Sequence, residues 1–175
     1  LKSVTRNTEY KNVLLIDSIG MVRGYYPNKD TLMGDHLKVL FPDLLKLESG
    51  ILTDLHRTSN VNYIHLDLVI PLINTWQNHS SVFGLMVIRI DPKEILYPLV
   101  QVWPVPGKTT ESLLVRQEGD EILYLSELRF KKNSELELRK SLSEEKLPEA
   151  MAVRGIEGTL DGVDYRYSGS VSLLR

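Results

Sequence analysis

At 175 residues, 42% hydrophobic and 25% charged, the chain is long enough to bury one ordinary core or two small ones, and too apolar to remain disordered. A net charge of −2 and a pI near 6.1 leave no basic stripe for nucleic acid. The lack of cysteine excludes disulfides, thiolate zinc sites and a cysteine nucleophile, and no apolar run reaches the ~18 residues of a membrane span.

VLLIDSIGMVRGYYP (13–27) sets two apolar runs around Ser18-Ile19-Gly20, which predicts a hairpin over residues 11–26. Leu37, Leu40, Phe41, Leu44 and Leu45 recur at helical spacing within 30–48, and Gly34 and Pro42 predict two short helices there rather than one. Three strands come next: ILTDLHR (51–57), NYIHLDLVIPLI (62–73) and, after a polar stretch from Asn74 to Ser80, SVFGLMVIRID (81–91). Asp91, Pro92 and Glu94 then form a capping box for a helix that kinks or stops at Pro98.

WPVPGK (103–108) reads as a stiff linker, with Trp103 and its flanking prolines setting the angle between the regions on either side. Beyond it the outline begins again. LLVRQEGDEILYLS (113–126) is a second hairpin around Glu-Gly-Asp, and the charged run from Lys131 to Glu145 reads as a solvated face. SEEKLPEAMAVRG predicts a helix with Ser143 as N-cap and Gly155 as stop, and EGTLDG and VDYRYSGSVSLL predict strands. The chain therefore reads as two copies of one small α+β unit: residues 1–100, a linker at 101–111, and 112–175. The second copy is expected to be incomplete, with VSLLR a strand whose neighbour is missing, as in a fragment cut from a longer chain.

Strand–strand–helices–three strands is the order of PAS-like domains, and two such units joined through a helix resemble the double-Cache sensor layout. The resemblance extends to the run GLMVIRIDPKEILYPLVQVWPVPGKTTESLLVRQEGDEILYLSELRFKKNSELELRKSL and to LPEAMAVRGIEGTLDGVDYRY. Both are similar to extracytoplasmic sensor regions of bacterial and archaeal membrane receptors of the histidine kinase or diguanylate cyclase type. The resemblance implies two PAS-like antiparallel-sheet units in tandem, anchored to a membrane through the parent chain and forming a homodimer there. It implies a small organic ligand in the first, membrane-distal unit, with no cofactor, no metal and no enzymatic activity in this region. A ligandless dimerisation or partner-docking module is the alternative.

The candidate site lies on the 62–73 strand. Its even positions, Ile64 to Leu72, form an apolar face, while Tyr63, His65 and Asp67 share the other side by the period of two. If the Thr58 turn closes over four residues, His56 faces Tyr63 and Asp54 faces His65. A polar face under water or a loop, a ligand pocket, and a metal or hydrolytic site built from His56, His65, Asp54 and Asp67 are the three readings of this cluster. Trp76 reads either as an aromatic wall of the pocket or as a loop residue anchored on core. Amino-acid-binding Cache sensors hold the ligand's amino group with an aspartate near the end of the third strand, where this sequence places Arg89. Their Tyr…Arg-x-Trp-Tyr stretch has no copy here, since Arg57 is followed by Thr58, Ser59 and Asn60. An arginine in that place favours a carboxylate or other anion through bidentate, charge-assisted hydrogen bonds. Pairing of Arg89 with Asp91 or Asp67 at the surface is the competing expectation. No G-x-S-x-G, Walker-type loop or H-E-x-x-H is present.

Overall fold

The computed structural model describes residues 10–27, 33–59, 61–76, 79–101, 111–166 and 169–174. The expected linker at 103–108, with Trp103, lies outside them. The chain divides into two compact units, residues 1–99 and 100–175.

The first unit is built on one antiparallel sheet. Strands β1 (Tyr10–Asp17) and β2 (Val22–Tyr26) form the expected hairpin. Its turn is held by Gly20 at φ +85° and by Asp17, whose Oδ1 accepts from the amides of Ile19 and Met21 at 3.1 and 2.9 Å. Helix α1 (Asp35–Leu44) comes next as one continuous helix. Pro42 lies inside it and does not divide it. One lost backbone hydrogen bond is offset because Leu37 and Leu44, two turns apart, are both buried against the sheet core.

The expected strand 51–57 is broken into β3 (Ile51–Leu52) and β4 (His56–Thr58), which pair with different parts of β5 (Val61–Trp76). Most of the expected polar stretch from Asn74 to Ser80 lies in strands. β5 continues to Trp76 and β6 begins at His79, so that Trp76 pairs with His79 in a long hairpin (β6, His79–Ile90). The sheet order is β2-β1-β6-β5-β3, with β4 also on β5. Its helix-facing side carries Leu14, Ile16, Val69, Leu85 and Val87, packed with Leu37 and Leu44.

After β6, Asp91 caps a turn through Oδ1 to the Lys93 amide (2.9 Å), but regular helix starts only at α2 (Leu96–Gln101). Pro98 does not stop it. At the third position of a helix its missing N–H has no intrahelical acceptor to lose.

In the second unit the hairpin is again present, as β7 (Val115–Glu118) and β8 (Glu121–Tyr124). The charged run is more than a solvated face: Arg139–Ser141 form β9 on the edge of β8, and Arg139 bonds Glu118 and Glu121 at 2.7 and 3.2 Å. Helix α3 is only Pro148–Val153, with Leu147 rather than Ser143 at the N-cap and Pro148 at the first helical position. A proline there is preorganised for the first turn, and its ring restricts the residue before it to extended backbone, so the helix cannot begin earlier. β10 (Gly158–Val163) and β11 (Gly169–Leu174) close the unit as a two-stranded hairpin, so VSLL is paired with β10. Ile122, Leu147 and Ala150 form one small core, and Tyr124, Leu128 and Tyr165 another.

Candidate functional site

The helix-facing side of the first sheet changes character along its length. Its middle is the apolar core. Toward the end of β6 the same side becomes polar, because register aligns Asn12 of β1, Arg89 of β6 and Asp67 of β5 in one row across three strands. Arg89, Asp67 and His65 are fully buried, each 0% exposed, and Asn12, Thr53 and Thr58 are buried beside them.

β3 and β4 supply the remaining wall, and the break between them decides its composition. In β3 residue 51 pairs with 69 and residue 52 with 68. Thr53 continues that alignment, its amide donating to the Asp67 carbonyl and its Oγ1 accepting from the Asp67 amide, both at 2.9 Å. One residue is then inserted around Asp54 and Leu55, and β4 resumes with His56 opposite His65, the register shifting again before Thr58, which lies opposite Val61. A single inserted residue exchanges the two faces of a strand. The expected pairs, His56 with Tyr63 and Asp54 with His65, are therefore not formed. His56 joins the polar face opposite His65, while Asp54 is exposed and contributes its carbonyl, and Thr53 takes the position beside Asp67.

The two imidazoles are oriented alike. Nδ1 of His56 lies 2.8 Å from the Asp54 carbonyl and Nδ1 of His65 lies 3.1 Å from the Tyr63 carbonyl. A carbonyl only accepts, so each Nδ1 carries the proton and each Nε2 is left with a lone pair in the neutral ring. Both Nε2 atoms turn toward Oδ2 of Asp67, at 3.5 Å from His56 and 3.9 Å from His65. Arg89 approaches the other oxygen, with Nε 3.5 Å from Oδ1. The arginine thus pairs with Asp67 as one expectation held, but in the interior and not at the surface.

Burial acts on His36, His56, His65 and Tyr63. It lowers the affinity of His65 for a proton, and it lowers that of His36, whose ring stacks on His56 at 4.2 Å. Burial pulls His56 the same way, but the Asp67 carboxylate and the Asp54 carbonyl outweigh it and its pKa rises. Burial also raises the Tyr63 hydroxyl.

Tyr63, with its ring edge-on to His65, has a buried hydroxyl without a hydrogen-bond partner among the described residues. The same is true of Asn12 Oδ1, Thr58 Oγ1, Nε2 of both His56 and His65, and both oxygens of Asp67. Seven such atoms on six side chains of one sheet face are far more than a native interior leaves unexplained. Gly34, the N-cap of α1, covers the cluster closely: a Cβ there would lie 2.9 Å from Thr58 Cγ2 and 3.4 Å from Arg89 Nη2.

Of the six residues expected to form the site, the structure brings His56, Tyr63, His65, Asp67 and Arg89 together. Trp76 stands apart. It ends β5 nine residues beyond Asp67, and at ~3.3 Å per strand residue its backbone is about 30 Å away. Asn12, Thr53, Thr58 and His36 complete the surroundings without having been anticipated. Asn12 alone carried a signal, being polar on the side of β1 that otherwise shows Leu14 and Ile16.

No family model matches this chain, and no curated protein aligns with it significantly.

Proposed function

We propose that this chain is the ligand-sensing region of a membrane receptor: two PAS-like units in tandem, on the extracytoplasmic side, with a small organic anion bound in the first unit and no catalysis in this region. The observation that carries the reading is the buried polar face of the first sheet, where acceptors and donors of hydrogen bonds converge without satisfying one another. A small acid that also carries hydroxyl groups supplies the missing partners, its carboxylate accepting from the Tyr63 and Thr58 hydroxyls and its own hydroxyls donating to the remaining acceptors. The order of elements in the first unit, two strands, a helix, then the strands to β6, is the order the resemblance implies and supports a PAS-like reading. A bound anion would signal by favouring one of two conformations of the unit, since only differential affinity shifts an equilibrium.

Thermal unfolding in the presence of a panel of small carboxylic acids, phosphate and sulfate tests this. A ligand at about 100 times its Kd stabilises the fold by roughly 2.7 kcal/mol, which raises Tm by several degrees. Tyr63→Phe and Thr58→Val, each removing one unbonded oxygen and little volume, should reduce the shift while leaving the unliganded protein folded. Absence of a shift across the panel, or a shift that both variants retain in full, would refute the anion site.

A further inference from the structure

The anion reading does not use one feature of the cluster. Nε2 of His56 and Nε2 of His65 both face Oδ2 of Asp67, and one ligand atom from each of the three residues lies within 4.8 Å of the others. The carbonyls of Asp54 and Tyr63 fix both tautomers, so neither ring can turn an N–H inward without giving up its Nδ1 bond or taking up a second proton. One proton on a ring satisfies one contact. A divalent cation satisfies all three.

We propose that His56, His65 and Asp67 form a binding site for a divalent transition-metal ion of the zinc class, the histidines coordinating through Nε2 and the aspartate through Oδ2. This goes beyond the sensing reading, stands without it, and revises the expectation of a metal-free unit.

Three independent aspects of the geometry support it. The donor set is two imidazoles and one carboxylate, which suits zinc, cobalt or nickel and not calcium or magnesium, whose sites are built from oxygens. The spacing fits: bonds of 2.0–2.1 Å in a tetrahedral site put ligand atoms about 3.3 Å apart, against 3.5 and 3.9 Å from Oδ2 to the two nitrogens. Those two separations need to contract by about 0.2 and 0.6 Å, and the third, bounded at 4.8 Å, by at most about 1.5 Å. The outer contacts are also those of a metal site, since a ligating histidine characteristically donates its other N–H to a carbonyl or carboxylate. Arg89 reinforces the arrangement by holding Oδ1 and leaving Oδ2 to the imidazoles. Three protein ligands leave a fourth position open for water or for an anionic oxygen.

The test uses the untagged chain, stripped with a chelator and dialysed. Calorimetric titration with Zn2+ should give one equivalent per chain, and Co2+ should give visible d–d absorption. Long-range 1H–15N spectra with Zn2+ should shift Nε2 of two histidines, His56 and His65, while their Nδ1 atoms stay protonated. His65→Gln and Asp67→Asn should each weaken binding at least about 100-fold, with His79→Gln near the parent value. If the ligand variants unfold, the nitrogen shifts of the unaltered chain decide. No binding of Zn2+ at tens of micromolar, shifts in His36 or His79 instead, full binding by folded His65→Gln, or equal binding of Mg2+ would each overturn the site.

Discussion

Both units bury tyrosines and carboxylates, and they treat them differently. In the second unit the Tyr124 hydroxyl donates to Glu149 Oε1 at 3.0 Å, the Tyr165 hydroxyl donates to Glu111 at 2.5 Å, and Ser134 Oγ accepts the Leu128 amide at 2.7 Å. Each of these groups meets a complementary one, although Glu149 Oε2 is left without a hydrogen-bond partner among the described residues, and the pairs tie hairpin, helix and loop of a small unit whose cores are short of apolar residues. In the first unit the apolar core is larger, and beside it, apart from the Arg89–Asp67 pair, the polar groups set like with like: two imidazole nitrogens and a carboxylate, a tyrosine hydroxyl and an asparagine oxygen. Buried polar groups that satisfy one another hold a fold together. Buried groups that converge without doing so cost stability, and a site that binds something is the usual reason a protein retains them.

The largest test of this contrast is Arg89→Met. It strands the Asp67 charge in the interior and should lower the unfolding free energy of the first unit by roughly 3–5 kcal/mol, read from urea denaturation. Adding Asp67→Asn to it should restore much of the loss. Failure of the second change to compensate would mean that Arg89 acts through something other than that pair.

Next in size is Tyr124→Phe. It leaves Glu149 Oε1 buried without its donor and should cost about 1–3 kcal/mol in the second unit. Tyr63→Phe in the first unit removes a hydroxyl with no hydrogen-bond partner among the described residues and should be neutral or slightly stabilising in the unliganded chain. Equal costs at the two tyrosines would dissolve the comparison.

Glu149 sharpens it by pH. Burial raises its carboxyl above the ordinary 4.5. A raised folded-state pKa means that its contribution is fully present below the unfolded value and is lost as pH rises through the folded one. The urea midpoint of the second unit should therefore fall as pH rises above about 4.5, and Glu149→Gln should flatten that part of the profile. An unchanged slope in the variant would assign the dependence elsewhere. Smallest of all is Lys46→Ala, which deletes a solvent-exposed pair with Asp43 and should change stability by less than about 0.5 kcal/mol.

Much of this was legible in the chain itself. The Ser18-Ile19-Gly20 and Glu-Gly-Asp turns, the apolar repeat of α1 and the period of two along 62–73 are local signals, and local physics decides them: glycine tolerance in a turn, 3.6 residues per helical turn, alternation in a strand. That alternation alone placed Tyr63, His65 and Asp67 on one side. Misreadings arose where a local rule met a nonlocal partner. Pro42 sits inside a helix because buried leucines hold both sides of it. Asn74 to Ser80 look like a loop, yet most of them lie in strands paired across a long hairpin. The composition of the site depends on events that no window of sequence contains. The inserted residue at Asp54–Leu55 brings His56 rather than Arg57 to the polar face. The register of β1, β6 and β5 sets Asn12, Arg89 and Asp67 in one row, though 77 residues separate the first two in sequence. Register is a property of paired strands, settled by burying the apolar face of each against its neighbours, and so only the assembled sheet decides which polar groups meet.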